Sequence, residues 1–225
     1  MKHMGKYLVI EGTDCSGKET QSKLLMERFE KEGISMWYRS FPNYESPTGK
    51  IIWWPYLGKT SIGEWFFPEW ATKVNPQVAS LYFAADRLYN LPEIEKRRKS
   101  QNLILDRYVY SNMAHQWGKI VDEKQRKQLY QWIEELEFNF LWLPQAEIKI
   151  FLHMPLSWTL ELQKQRNELD QHEKDFQYLK NAEIAYLEIA EIYHFTIIEC
   201  IDAQGKIKSI ESIHEELYQK VKELL

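Results

Sequence analysis

The stretch KYLVIEGTDCSGKETQ, residues 6–21, decides the fold. Its first half is a short apolar run closed by Gly12, the pattern of a strand buried on both faces. Its second half sets Gly12, Gly17 and Lys18 at the spacing G-x-x-x-x-G-K. Glycines at that spacing let backbone N–H groups turn onto phosphate oxygens, and the lysine supplies a point charge. Beyond it, Leu24, Leu25, Arg28 and Phe29 recur at helical spacing until Gly33. A phosphate loop needs this strand–turn–helix setting, because the helix N-terminus adds partial positive charge. The competing reading is a glycine-rich turn that holds no ligand.

Further strand signatures fall at residues 34–41, 102–108, 146–154 and 195–200. Helical patterns occupy 75–99, 121–140, a stretch after Pro155, about 173–193, and 209–225. Strands alternating with helices predict a five-stranded parallel sheet covered on both faces, a doubly wound α/β fold. No internal repeat or Pro/Gly/Ser-rich linker divides the 225 residues, so one domain over 1–225 is expected. The net charge of −4 argues against broad nucleic-acid binding, which needs an excess of Lys and Arg. Cys15 and Cys200 alone make no disulfide framework, and the six histidines show no paired metal-ligand spacing. No apolar run approaches the roughly 20 residues of a membrane span. The start MKHMGKY lacks a signal peptide's apolar region. A cytoplasmic location, with no membrane or nucleic-acid partner, is expected.

Two later segments join the loop: FAADR (83–87) and DRYVYSNMAHQ (106–116). Phe83 and Arg87 are four apart and share a helix face. Asp106 and Arg107 close a strand at the carboxyl edge of the sheet, where ligands of open α/β folds bind. Arg107 offers a planar fork for phosphate oxygens. Asp14 places a carboxylate among phosphate-binding amides, which is costly unless a hydroxyl or cation needs it. The competing reading of Asp14 is a loop cap; without the neighbouring motifs, Phe83 reads as core and Arg87 as a solvated charge.

Together the three segments resemble the thymidylate kinase family. The likeness runs on through ELEFN (135–139) and LPQAEIKIFL (143–152) to RNELDQHE (166–173), where that family carries its mobile lid, here about 164–175. The resemblance implies a P-loop NTPase-type fold, phosphoryl transfer from ATP to dTMP, Mg²⁺ dependence and a homodimer. It implies that Gly12, Cys15, Ser16, Gly17, Lys18, Glu19 and Thr20 hold the ATP phosphates. It assigns the acceptor to Asp14, Phe41, Phe83, Arg87, Arg107, Asn112 and His115, with Asp14 on the 3′-hydroxyl, Phe83 stacked on thymine and Arg87 bonded to O4. Lys18, Asp106, Arg107 and Arg166 become the catalytic set, Arg166 as the lid cation with Lys164 as its alternate; Asp106 is suited to bond the acceptor or hold the metal's water, and Glu19, a carboxylate in the metal-binding position, is the other candidate metal ligand.

Three departures stand out. Glu19 occupies the place of the metal-binding Ser or Thr, and Thr20 comes one residue late, expected to face the helix interior. Tyr44 stands where many members have an arginine on the acceptor phosphate, so Arg39 is a candidate substitute. The segment 53–70 holds four of the nine tryptophans and has no assigned counterpart. Transfer to another monophosphate such as dUMP or dCMP, and a silent nucleotide-binding regulator, stay open beside the dTMP reading.

Overall fold

Tyr7, Val9, Leu103 and Leu105 pack on one side of the sheet, while Leu8, Ile10 and Ile104 pack on the other. This period of two leaves no wet face on the central strands, so helices must cover both. The structure, a computed structural model, describes residues 4–57, 67, 69–120, 122–164 and 175–225. Its strands are β1 (Tyr7–Gly12), β2 (Met36–Ser40), β3 (Asn102–Asp106), β4 (Ile148–His153) and β5 (Thr196–Glu199). They form one parallel sheet in the order β2-β3-β1-β4-β5. In this register Ile10 lies beside Asp106 and Gly12 beside Leu152, which brings three strand ends to one edge.

Helices α1 (Lys18–Lys31) and, at the chain's end, α8 (Ile210–Leu224) cover one face, with Leu25, Phe29, Leu217 and Val221 against the strands. The short α2 (Pro47–Ile51) precedes the long α3 (Pro76–Arg98). Asn75 caps α3 by accepting from the Gln77 and Val78 amides at 2.9 and 3.2 Å, and Pro76 occupies the first turn, where its missing N–H costs nothing. The other face is covered by α4 (Val109–Trp117), α5 (Glu123–Glu134) and α7 (Phe176–Ile192), while α6 (Leu156–Gln163) follows β4.

Several boundaries differ from those expected. The strand expected over 102–108 stops at Asp106, because Arg107 turns to φ 66° and Tyr108 opens α4. The helix expected over 121–140 ends at Glu134 and widens into a π turn over Glu135–Phe140. A second π turn, Ile52–Tyr56, lies in the tryptophan-rich segment. Within that segment Tyr56 and Leu57 join Ile52, Ala71, Val74 and Ala79 in a third apolar cluster and pack inward, while Trp70 is half exposed. The expected lid, about 164–175, falls outside the described residues except for Lys164 and Asp175.

Candidate active site

The loop from β1 to α1 is shaped by residues that could not be exchanged freely. A Cβ on Gly12 would lie 2.6 Å from Ser16 Oγ and 2.8 Å from the Leu152 carbonyl oxygen, closer than real Cβ atoms come. Gly17 sits at φ 77°, the left-handed region that glycine enters at no steric cost, and Cys15 is held at φ 60°. Thr13 Oγ1 donates to the Met154 carbonyl at 2.7 Å and accepts from its amide at 2.9 Å, tying the loop to the end of β4. Lys18 opens α1, and its Nζ donates to the Gly12 and Thr13 carbonyls at 2.9 and 3.0 Å. Burial, helped by the Arg107 charge, lowers the Lys18 ammonium to about 8 against the opposing pull of Asp14 and Asp106. Thr20 is exposed rather than turned into the helix interior, since the inward positions of α1 go to Gln21, Ser22 and Leu25. Glu19 is also exposed and pairs with Lys23 at 2.5 Å.

Opposite the loop, Arg107 is held by a directed chain of hydrogen bonds. Its Nη2 meets Asp14 Oδ1 at 3.0 Å, and its Nη1 donates to the Tyr186 oxygen at 2.8 Å. The Ser111 hydroxyl donates to Glu11 Oε2, so the Tyr186 hydroxyl must donate to Ser111 Oγ, 2.7 Å away. Glu11 is buried on β1 and also accepts from the Tyr108 and Ser111 amides at 2.8 and 3.0 Å, which satisfies the first turn of α4. Burial pushes the Glu11 carboxyl up to about 6, although the Ser111 bond and Arg107 oppose it. Burial would also raise Asp14, but Arg107 and Lys18 outweigh it and its carboxyl is lowered.

His115 is neutral at pH 7, because burial and the Arg107 charge lower it to about 3. Arg107 Nη1 lies 3.0 Å from His115 Nε2 and can only donate. Nε2 is therefore the acceptor, and the proton sits on Nδ1, donated to the Tyr178 hydroxyl at 2.8 Å.

A third group lies deeper. Arg87 Nε and Nη2 donate to Glu137 Oε2 and Oε1 at 2.5 and 2.6 Å, a two-pronged pair with both side chains buried. Asn112 Nδ2 donates to Glu137 Oε1 at 2.9 Å. A carboxylate only accepts, so this bond fixes which way the Asn112 amide faces. Its Oδ1 is then left buried with no hydrogen-bond partner, as are both Oε1 and Nε2 of Gln116. Both residues line the same cavity as Arg87.

One cavity of about 390 Å³ joins these groups. The loop contributes Asp14, Cys15 and Gly17 through Thr20, and β3 with α4 contributes Asp106, Arg107, Asn112, His115 and Gln116. Phe41, Phe83, Arg87 and Leu57 complete the apolar end, and Tyr44 lines it beside them. Gly12 and Ser16 lie in the loop behind this lining. Arg39 does not reach it: on edge strand β2 its guanidinium pairs with Glu93 at 2.7 Å and rests on Trp37. Arg166 lies outside the described residues, and Lys164 pairs with Glu161 at 2.6 Å on the surface. Glu11, Gln116, Glu137 and Tyr186 carried no assigned role in the sequence reading; all but Tyr186 stood inside quoted motifs, which was the available signal.

Loop, strand order and cavity together define a P-loop nucleotide-binding fold, with its cleft at the carboxyl edge of the sheet. A family model described as thymidylate kinase matches residues 10–217. A probable thymidylate kinase of Pyrococcus horikoshii is 30% identical over 220 residues, covering 97% of this chain and 96% of that protein. The thymidylate kinase of Plasmodium falciparum is 26% identical over 221 residues, covering 98% and 91%. A solved structure of thymidylate kinase from Candida albicans superposes with a TM-score of 0.72 at 24% identity, covering 98% of this chain and 92% of that one. The chain belongs to the thymidylate kinase family.

Proposed function

We propose that this protein is an ATP-dependent nucleoside monophosphate kinase that phosphorylates dTMP to dTDP, within one domain that carries both nucleotide subsites. The observation that carries the choice of base is the orphaned Asn112 Oδ1, fixed as an acceptor by Glu137. Thymine presents an N3–H to such an acceptor, whereas cytosine presents a lone pair at N3. Gln116 Nε2 supplies a donor for a thymine carbonyl, and Arg87 keeps N–H bonds beyond those spent on Glu137. Phe83 is the stacking face, with Phe41 behind the sugar. Arg107 receives the acceptor phosphate, and Asp14, already drawn toward it, bonds the 3′-hydroxyl.

Phosphoryl transfer asks the protein to align the two nucleotides and neutralise charge, with little covalent work. Lys18 and the loop amides bind the donor phosphates. Arg166 of the lid is our choice for the second cation, with Lys164 as its alternate.

Magnesium fits this arrangement. Mg²⁺ bound with nucleotide phosphates keeps several waters and needs only one or two carboxylates. Glu19 and Asp106 both line the cavity, and Asp106 commits Oδ2 to the Tyr38 hydroxyl at 3.0 Å. The ion would neutralise charge on the donor phosphates. Glu19→Ser should therefore shift the Mg²⁺ concentration for half-maximal rate several-fold while leaving the KM for dTMP in place. It should barely touch stability, since the exposed pair with Lys23 is worth about 0.3–0.5 kcal/mol. A magnesium titration that overlays wild type would make Glu19 a solvated first-turn residue.

A homodimer is proposed from α3, whose Val78, Leu81, Leu88 and Tyr89 expose 41–57% of their surface along one side. Among the described residues no helix is long and apolar enough to cross a membrane, in keeping with a proposed cytoplasmic location. The direct test of function is ADP formation from ATP with and without dTMP. Strict dTMP dependence supports a kinase; nucleotide binding without turnover would support a silent regulator.

A further inference from the structure

Lys119 stands two residues beyond α4 and has no part in the reaction above. Its Nζ donates to the Tyr56 hydroxyl at 2.8 Å and to the Val74 carbonyl at 3.3 Å. The Tyr56 hydroxyl donates onward to the Ala71 carbonyl at 3.3 Å. Burial lowers the Lys119 ammonium to about 7. These bonds tie the end of α4 to residues 56 and 74 of the stretch that leads into α3.

What they join are the two walls of the acceptor cavity. Tyr56 sets its ring edge-on to Phe83, with centroids 5.6 Å apart and planes at 88°, and edge-on to Phe67 at 5.9 Å. Leu57, the next residue, lines the cavity. Ala71 and Val74 lead into α3, which bears Phe83 and Arg87. Lys119 hangs from α4, which bears Asn112 and Gln116, and its own amide bonds the Gln116 carbonyl at 3.2 Å.

We infer that Lys119 is a positioning residue for the acceptor nucleotide: it clips the aromatic segment and the approach to α3 onto the end of α4. The clip sets Phe83 at a fixed separation from the polar edge made by Asn112 and Gln116, so that one base fits between them. The described part of the tryptophan-rich segment thereby acts on the acceptor, away from the ATP loop. The inference rests on the dTMP reading above.

The test uses wild type, Lys119→Met, Tyr56→Phe and the double variant, with dTMP binding measured by calorimetry and initial rates with each substrate varied in turn. Lys119→Met should raise the Kd and KM for dTMP about tenfold, the scale of a small misplacement propagated into a site. The KM for ATP should not change. Tyr56→Phe should act in the same direction, and the double variant should be little worse than the worse single, because both cut one link. Lys119→Arg, which keeps the donors, should recover most of the affinity. Unchanged dTMP affinity in the singles, equal losses for ATP and dTMP, or strictly additive singles would each overturn the inference. If Lys119→Met fails to fold, Tyr56→Phe decides, since it removes one hydroxyl. A wild type that does not bind dTMP overturns the acceptor reading and this inference together; a wild type that binds it while the variants match overturns the inference alone.

Discussion

Lys18→Ala is expected to fold as the wild type does and to lose turnover by about a hundredfold or more. The side chain is buried at the head of α1, yet its bonds go to two loop carbonyls and it belongs to none of the three apolar clusters. Alanine favours the helix, and the loop keeps its shape through Gly12, Gly17 and the Thr13–Met154 pair. What would disappear, on the proposed reading, is a fixed positive charge beside the transferring phosphoryl group, in a cleft where water screens poorly. The loss should fall mainly on kcat, because that interaction strengthens as the transition state forms. Near-normal turnover in a variant with unchanged thermal unfolding would remove the loop from the chemistry.

Glu137→Ala should have the largest effect on stability. Its carboxylate is wholly buried and answers Arg87, whose side chain is 3% exposed. Breaking such a pair from one side leaves an uncompensated buried charge and costs about 3–5 kcal/mol. In a chain of this size that is a fall of roughly 10 °C in Tm. Replacing both partners, Arg87→Met with Glu137→Leu, should return much of the stability, because no charge is then stranded. The same double variant should discriminate poorly between bases, since Asn112 loses the bond that orients it and Arg87 is gone. Thermal unfolding followed by circular dichroism, with base preference measured on the same samples, separates the two roles. A single variant as stable as wild type would contradict the buried pair.

The parts of the fold that declared themselves in sequence are those with a strong local rule. The β1 run, the G-x-x-x-x-G-K spacing and the Asn75–Pro76 start of α3 each have one low-energy reading. Helix α4 was legible only as a motif, because eight of its nine residues are buried and no polar face marks a helical period. The two π turns, at Ile52–Tyr56 and Glu135–Phe140, have no sequence signature, although they deliver Tyr56 and Glu137 to the acceptor side. Glu137 and Gln116 look in sequence like any solvated polar residue; burial distinguishes them, and burial is tertiary. Arg39 shows the opposite failure. Its position near FPNY made it a candidate for the acceptor phosphate, but it turns instead to Glu93 at the sheet edge. Phe41, two residues on, lines the cavity.

Base selection is the part of the account that depends most on geometry, through the single amide of Asn112. On the proposed reading, an acceptor fixed by Glu137 would meet N3–H of thymine but a lone pair of cytosine, and an unpaired buried polar group costs about 1–3 kcal/mol. The 5-methyl group adds at most a similar amount against dUMP. Equal concentrations of dTMP and dCMP, offered together with limiting ATP and Mg²⁺, compete for one site, so the ratio of products reads the ratio of kcat/KM directly. The prediction is dTDP in at least about tenfold excess over dCDP. Comparable amounts of the two products would contradict the reading of thymine by Asn112, Gln116 and Arg87.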